Sequence, residues 1–296
     1  MQSAIKSAES NRKRGRKPKQ STPSQGSANT IRLQWLQCET RALMTALSRV
    51  KESQSDTAVH HGRVSIRRLR SLLKHWRIEC QPVRYKKLMF YLQDISRTLA
   101  ISRDAYIRLH LFTVLLEATN SETQNASSRI HSKLRNDLAN SKGLLRQITH
   151  SGHWDWVCQY VETAIKKNGL MKLTPQNYDL NDELKAFKHG TLKLSKMKLN
   201  KYATNQALHK VRIKIKHVRY LGQALQDIMS FDLSTEINIL KQLQSLLGEL
   251  HDGSQLSNWC SHHIANNALN QLLHPRISAR NVMTKDRLQA LLEQLA

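Results

Sequence analysis

Glycine and proline are scarce in this 296-residue chain, ten and five residues, against the roughly 7% and 5% of an average protein. Turn-rich β sandwiches and collagen-like repeats do not fit such a composition, and long helices do. Acids are scarce as well: 22 Asp and Glu stand against 47 Lys and Arg, a formal +25, which points to a polyanionic partner. No apolar run nears the roughly 20 residues of a membrane-spanning helix, and Met1 to Lys19 lacks the apolar stretch of a secretory signal. A soluble cytoplasmic protein with no membrane partner is expected. Cys38, Cys80, Cys158 and Cys260 are scattered, with no CxxC and no Cys/His pair at zinc-finger spacing. Each reads as a small apolar filler, and no metal is expected.

Residues 1 to 30 hold seven basic residues against Glu9 and almost no apolar content, so a disordered basic tail is expected there. From Ile31 onward apolar residues recur at helical spacing. The pattern predicts helices near 31 to 51, 56 to 79, 83 to 118 with a break around Ser102, 126 to 148 and 153 to 168. After a linker at Gly169 to Asn181, it predicts 182 to 200, 204 to 229, 233 to 250, 252 to 267 and 280 to 295. Pro82, Pro175 and Pro275 are expected at helix boundaries. Trp35, Trp76, Trp154, Trp156 and Trp259 fall mostly in apolar patterns and read as core anchors, which weakens a base-stacking role.

An internal repeat organises the chain. VHHGRVSIRRLR carries His60, Arg63, Arg67, Arg68 and Arg70, and LHKVRIKIKHVR carries His209, Arg212, Lys216, His217 and Arg219, 149 residues on. LAISRD, from Leu99 to Asp104, matches LGELHD, from Leu247 to Asp252, at an offset of 148. Two matches at nearly one offset imply duplicated halves, about 31 to 170 and 171 to 296. On a helix the groups at +3, +7 and +10 share an arc of about 80° with the histidine and span about 15 Å. Lys74 extends the first row, while Val59, Ile66, Leu69, Leu72, Leu73 and Trp76 cover the far side. Arg68 and His217, at +8, lie outside the arc and are weaker candidates. Cations aligned without acids repel one another unless water, salt or a bound anion neutralises them. A solvated face does not require matching positions in two halves, whereas a phosphate ligand does, through the forked contacts of Arg and the point charge of Lys. The stretch from Lys185 to Tyr220 adds eleven Lys or Arg with no acid; which of Lys185 to Lys201 join the row is not fixed by spacing.

The VHxxRVxxRRLR pattern at His60 to Arg70, repeated as LHxxRxxxKxxRY at His209 to Tyr220, resembles the CHAD family, the conserved-histidine α-helical domain. The LAISRD and LGELHD segments resemble that family's LGxxRD-type segments. The resemblance spans about 31 to 296. It implies an all-α fold of two pseudo-symmetric helical bundles around a basic groove or pore. It further implies binding of inorganic polyphosphate without catalysis or cofactor, at polyphosphate granules. Carried onto this chain, the binding residues are His60, Arg63, Arg67, Arg70, Lys74, Arg103, His209, Arg212, Lys216 and Arg219. The chain departs from the pattern at Lys216 and His217, where arginine is usual, at His251 in place of an arginine, and at Gly62 inside the first motif helix. It also lacks an ExExK triphosphate-processing signature.

Catalytic readings are weaker. His251 and Asp252 form an HD dipeptide without the further ligands a metal phosphohydrolase needs; the repeat accounts for the pair, with Asp104 and Asp252 capping helices or pairing with cations. His262 and His263 point about 100° apart on a helix. No nucleophile elbow, Walker loop or HExxH occurs. Nucleic acid is the alternative partner, because Arg12, Lys13, Arg14, Arg16 and Lys17 in RKRGRKPK resemble an AT-hook, although Lys17 separates Arg16 from Pro18. Deleting residues 1 to 30 is expected to weaken binding to duplex DNA more than binding to polyphosphate. Parallel titrations of both ligands check this, and equal losses would refute the division of labour.

Overall fold

The computed structural model describes residues 28–116, 124–166, 170–171, 180–197, 204–229, 232–263 and 267–295. The basic tail with Arg12 to Lys17, and Lys198 and Lys201, lie outside the described residues. Among these residues the fold is all-α. The helices are α1 (Ala28–Ser53), α2 (Asp56–His75), α3 (Pro82–Leu116), α4 (Gln124–Thr149), α5 (Gly152–Lys166), α6 (Leu180–Ser195), α7 (Asn205–Met229), α8 (Ser234–His263) and α9 (Asn267–Glu293). None is long and apolar enough to cross a membrane.

Three expected breaks are absent. Ser102 sits fully buried within a continuous α3; a polar residue there serves packing rather than a turn. The Gly248 to Gly253 region does not end α8. At Gly253 a Cβ would make ordinary contacts, 3.4 Å from Asn281 Oδ1 and 3.6 Å from Ile277, so α9 packs beside an uninterrupted helix there. Pro275 lies inside α9 on an exposed turn, where the lost backbone hydrogen bond and the ring are tolerated at the solvent side.

α2 shows how sequence becomes placement. Ser55 accepts a hydrogen bond from the Ala58 amide at 3.2 Å and Asp56 occupies the first turn, a favourable N-terminus. Ile66, Leu69, Leu72 and Leu73 are buried, each contributing roughly 1.5–3 kcal/mol. Gly62, unfavourable in isolation, is buried where a Cβ would meet Leu99 at 3.0 Å, so it sets the close approach of α3.

The apolar core forms three clusters. The first joins α1, α2, α3 and α5 with Leu145 of α4, and includes Ala224 of α7. The second joins α6, α7, α8 and α9. A third, Phe112, Leu134, Leu256, Cys260 and Ile277, ties α3 and α4 to α8 and α9. Trp35, Trp76 and Trp154 are core residues as expected, but Trp156 is 45% exposed. It stacks on Tyr160 at the surface, at 5.8 Å between ring centroids. All four cysteines are free; Cys80 and Cys260 are buried fillers, whereas Cys38 is exposed and accepts from Arg41 at 3.1 Å.

A buried carboxylate links the two parts of the chain. Glu183 of α6 accepts from Trp76 Nε1 at 2.9 Å and Arg32 Nη2 at 3.4 Å, and makes a short contact with His75. Removing one member of such a set leaves buried donors and charge uncompensated. Glu183→Ala is expected to cost roughly 3–5 kcal/mol of stability, read from denaturant unfolding; a loss below about 1 kcal/mol would show that Glu183 does not hold the halves together.

Candidate functional site

α7 mirrors α2 in construction: Thr204 accepts from the Ala207 amide at 3.2 Å, and Leu208, Val211, Ile215 and Val218 bury one face. Their contact surfaces place the two motif rows against each other. Arg68 reaches Gln223 at 3.4 Å, Ser71 meets His217 Nδ1 at 3.1 Å, and His75 lies 5.4 Å from His217 between ring centroids. The +8 residues are therefore contact residues; Arg68 also pairs with Glu39 at 3.3 Å.

On the neighbouring face, Arg63 and Arg67 of α2 lie with Arg103 of α3 and with Arg212, Lys216 and Arg219 of α7, close enough that each depresses its neighbours' proton affinity. Burial first, then Arg67, lowers Arg63 to about 10; Asp104 Oδ1, 3.6 Å from its Nη2, partly offsets this. Burial also lowers Arg212, again with Arg67 as the nearest repulsive charge and Asp252 as the offsetting one. Lys216 falls furthest for an amine, to about 7, through burial followed by Arg212, Arg67, Arg63 and Arg219. Arg219 is lowered chiefly by burial and lies over the Tyr220 ring at 4.6 Å. Nη1 of Arg63 and Nε of Arg212 and Arg219 are buried without a hydrogen-bond partner, a desolvation cost the ligand-free protein carries.

The remaining expected residues take different places. His60 is lowered by burial, then by Arg103 and Arg67, and borders the seam. His209 stands 6.3 Å from His251 between ring centroids; with Arg212 they line a cleft of about 380 Å³ between α7 and α8. His251 is lowered by burial and then by Arg212. Arg70 leaves the row: burial dominates its lowering, and its charged neighbours are Tyr85 and Arg97 on α3. Lys74 is exposed and acts on His217. Lys185 pairs with Asp182 at 3.0 Å, and Lys188, Lys193 and Lys196 are exposed.

Asp104 and Asp252 do not cap helices; both lie mid-helix, in α3 and α8, and serve as the seam's acids. Burial raises Asp252 while Arg212 and Arg103 pull it back. The spacing of LAISRD and LGELHD marked these positions, but only the fold shows that they meet the cations. Among the described residues no group of three His, Cys, Asp or Glu is placed to hold a metal ion. His262 is exposed and bonds Asn258 O at 2.7 Å.

The CHAD domain model matches residues 35–261. The chain belongs to the CHAD family. Two solved structures share the fold: PptA from Streptomyces chartreusis, with a TM-score of 0.71 and 15% identity over 91% of this chain and 99% of that one; and the CHAD domain from the plant Ricinus communis, with a TM-score of 0.71 and 17% identity over 92% and 93%. No curated protein matches the sequence. All of α9 lies beyond the matched CHAD segment.

Lys216 gives this CHAD domain a pH signature. Its ammonium loses its proton near 7 when folded but near 10.5 when free, so between those values the unfolded chain holds more protons and stability rises with pH. His60, His217 and His251, all lowered, act in the same direction on the acid side. Lys216→Met is expected to stabilise the ligand-free protein at neutral pH and to flatten its rise towards pH 10.5. Thermal melts across pH measure this, and an unchanged slope would remove Lys216 from the buried cluster.

Proposed function

We propose that the seam binds inorganic polyphosphate without catalysing a reaction on it. The observation that carries this reading is the convergence of Arg63, Arg67 and Arg103 with Arg212, Lys216 and Arg219, partly buried and partly offset by Asp104 and Asp252. A chain of phosphates supplies repeated oxygen acceptors at a spacing that several guanidinium forks can share. It also supplies the negative charge that relieves their mutual repulsion. The halves 31–170 and 171–296 act in this reading as duplicated jaws, pseudo-symmetric about the seam. The ligand follows the groove between them. Membership of the CHAD family supports the same ligand, and with it association with polyphosphate granules in the cytoplasm.

His60 and His209 begin the two motif rows, and their ring N–H groups donate to phosphate oxygens. Arg70 and Lys74 lie outside the tight cluster and serve an extended ligand rather than a short one. Because Lys216 regains its proton when an anion arrives, binding takes up protons above about pH 7, and affinity falls as pH rises through that value.

Arg67→Glu combined with Lys216→Glu is expected to weaken long-chain polyphosphate binding at moderate salt by at least about tenfold, since two attractive contacts become repulsive. Circular dichroism should show the helices retained. Unchanged affinity would reject the seam. Duplex DNA and single-stranded RNA, matched for charge, provide the competition arm: loss of all three ligands in parallel with added salt would make the surface a general polyanion binder.

A further inference from the structure

The two ends of the seam are built differently. At the second-half end, His209 and Arg212 of α7 and His251 of α8 line one end of the cleft between these helices. The rest of the lining carries no charge: Asn205 of α7 and Ser254, Gln255 and Asn258 of α8 supply amides and a hydroxyl, beside the buried Leu208 and Leu250. An adjoining cleft of about 370 Å³ shares Asn205, Ser254 and Asn258 and continues to Ser278 and Asn281 of α9. Each volume lies within the roughly 300–1,000 Å³ typical of small-molecule sites.

The repeat supplies an internal comparison. At the same offset of 148 to 149 residues, Asp56 stands for Asn205, Tyr106 for Ser254 and His110 for Asn258. Asp56 is tied to Lys142 at 3.1 Å. Tyr106 and His110 stack with centroids 6.0 Å apart, and the Arg103 guanidinium lies over Tyr106 at 5.1 Å. Rings and an ion pair thus fill positions that, in the second half, are small, neutral and open to a cleft.

We propose that this cleft holds the nucleoside of a nucleoside polyphosphate, with its phosphates on Arg212, His209 and the seam beyond. The assignment rests on the seam being a phosphate-chain site. A base has flat apolar faces for Leu208 and Leu250 and a polar edge for the amides of Asn205, Gln255 and Asn258, while the ribose hydroxyls meet Ser254. An inorganic phosphate chain accepts from the amides and Ser254 but has no apolar face for Leu208 and Leu250. A polyol phosphate has hydroxyls on every side and would desolvate some of them against leucine.

The test titrates the full-length protein by calorimetry at moderate salt without magnesium. The ligands are ATP, tripolyphosphate and inositol hexakisphosphate, with long-chain polyphosphate as the control on the seam. Tripolyphosphate carries at least as much negative charge as ATP, so charge alone cannot favour the nucleotide. ATP is expected to bind about tenfold more tightly than tripolyphosphate, the effect of one or two added hydrogen bonds. Saturation-transfer NMR on the unaltered protein should show base and ribose protons in contact. Ser254→Tyr with Asn258→His installs the first-half residues and keeps every seam cation. It should abolish the preference and leave long-chain polyphosphate affinity unchanged. Equal affinities for ATP and tripolyphosphate, with no transfer to base protons, overturn the nucleoside site while polyphosphate binding stands. Inositol hexakisphosphate binding that exceeds ATP and is lost in the double variant overturns it in favour of a polyol. Absence of long-chain polyphosphate binding in the unaltered protein instead defeats the seam reading itself.

Discussion

Like charges held face to face set the terms for the whole molecule. Six cations from α2, α3 and α7 share a partly desolvated seam with two carboxylates, Asp104 and Asp252. Left to themselves, α2 and α7 would separate. They are held on two sides. At the C-terminal end of α2, Glu183 engages Arg32, His75 and Trp76, and Ala224 of α7 enters the first core. Along α3, two turns beyond Asp104, Phe112 joins Leu256, Cys260 and Ile277 in the apolar cluster that closes the other side. The repulsive seam lies between a buried ionic clasp and an apolar weld.

In the proposed reading, that arrangement turns folding energy into affinity for an anion. Flexible surface lysines must be ordered when a ligand binds, at an entropic cost per side chain. Here the guanidinium groups are already packed, with Nε or Nη atoms that lack protein partners. Burial is the first cause of the lowered proton affinities of Arg63, Arg212, Lys216 and Arg219, and repulsion from neighbouring cations adds to it; an anion in the seam would relieve that repulsion. Ligand binding then stabilises the fold by mass action as well as by relief of repulsion. The cost is borne by the ligand-free protein, which is why the clasp and the third cluster matter to function without touching the ligand.

The helices and the motif rows were legible in the sequence because both depend on local periodicity. Apolar spacing places the faces of α2 and α7, and the His and Arg spacing marks one arc in each half. What local spacing does not encode is direction across a tertiary contact. Arg70 shares the arc of Arg67 yet leans to Tyr85 and Arg97, because α3 packs against that end of α2. Glu183 falls in an ordinary first turn of α6, and nothing near it in sequence announces Trp76 or Arg32. Ser102, Gly253 and Pro275 look like punctuation but are absorbed by long helices, since tertiary packing outweighs a single weak helix former. Trp156 follows an apolar pattern and still reaches the surface, where Tyr91 and Tyr160 rather than a core receive it.

The sequence repeat accounts for the seam but not its ends. At the seam it sets Arg63 against Arg212 and Arg67 against Lys216. Away from the meeting line each half is free to diverge without loss of the shared charge. The chain does so at the motif's outer turn, where Arg103, Tyr106 and Asp56 in one half face His251, Ser254 and Asn205 in the other. His251 in the place of Arg103 also lowers the fixed charge beside the cleft. The two ends of the seam therefore differ in chemistry: the Arg103 guanidinium lies over the Tyr106 ring at one, and His209, Arg212 and His251 stand beside uncharged amides and Ser254 at the other.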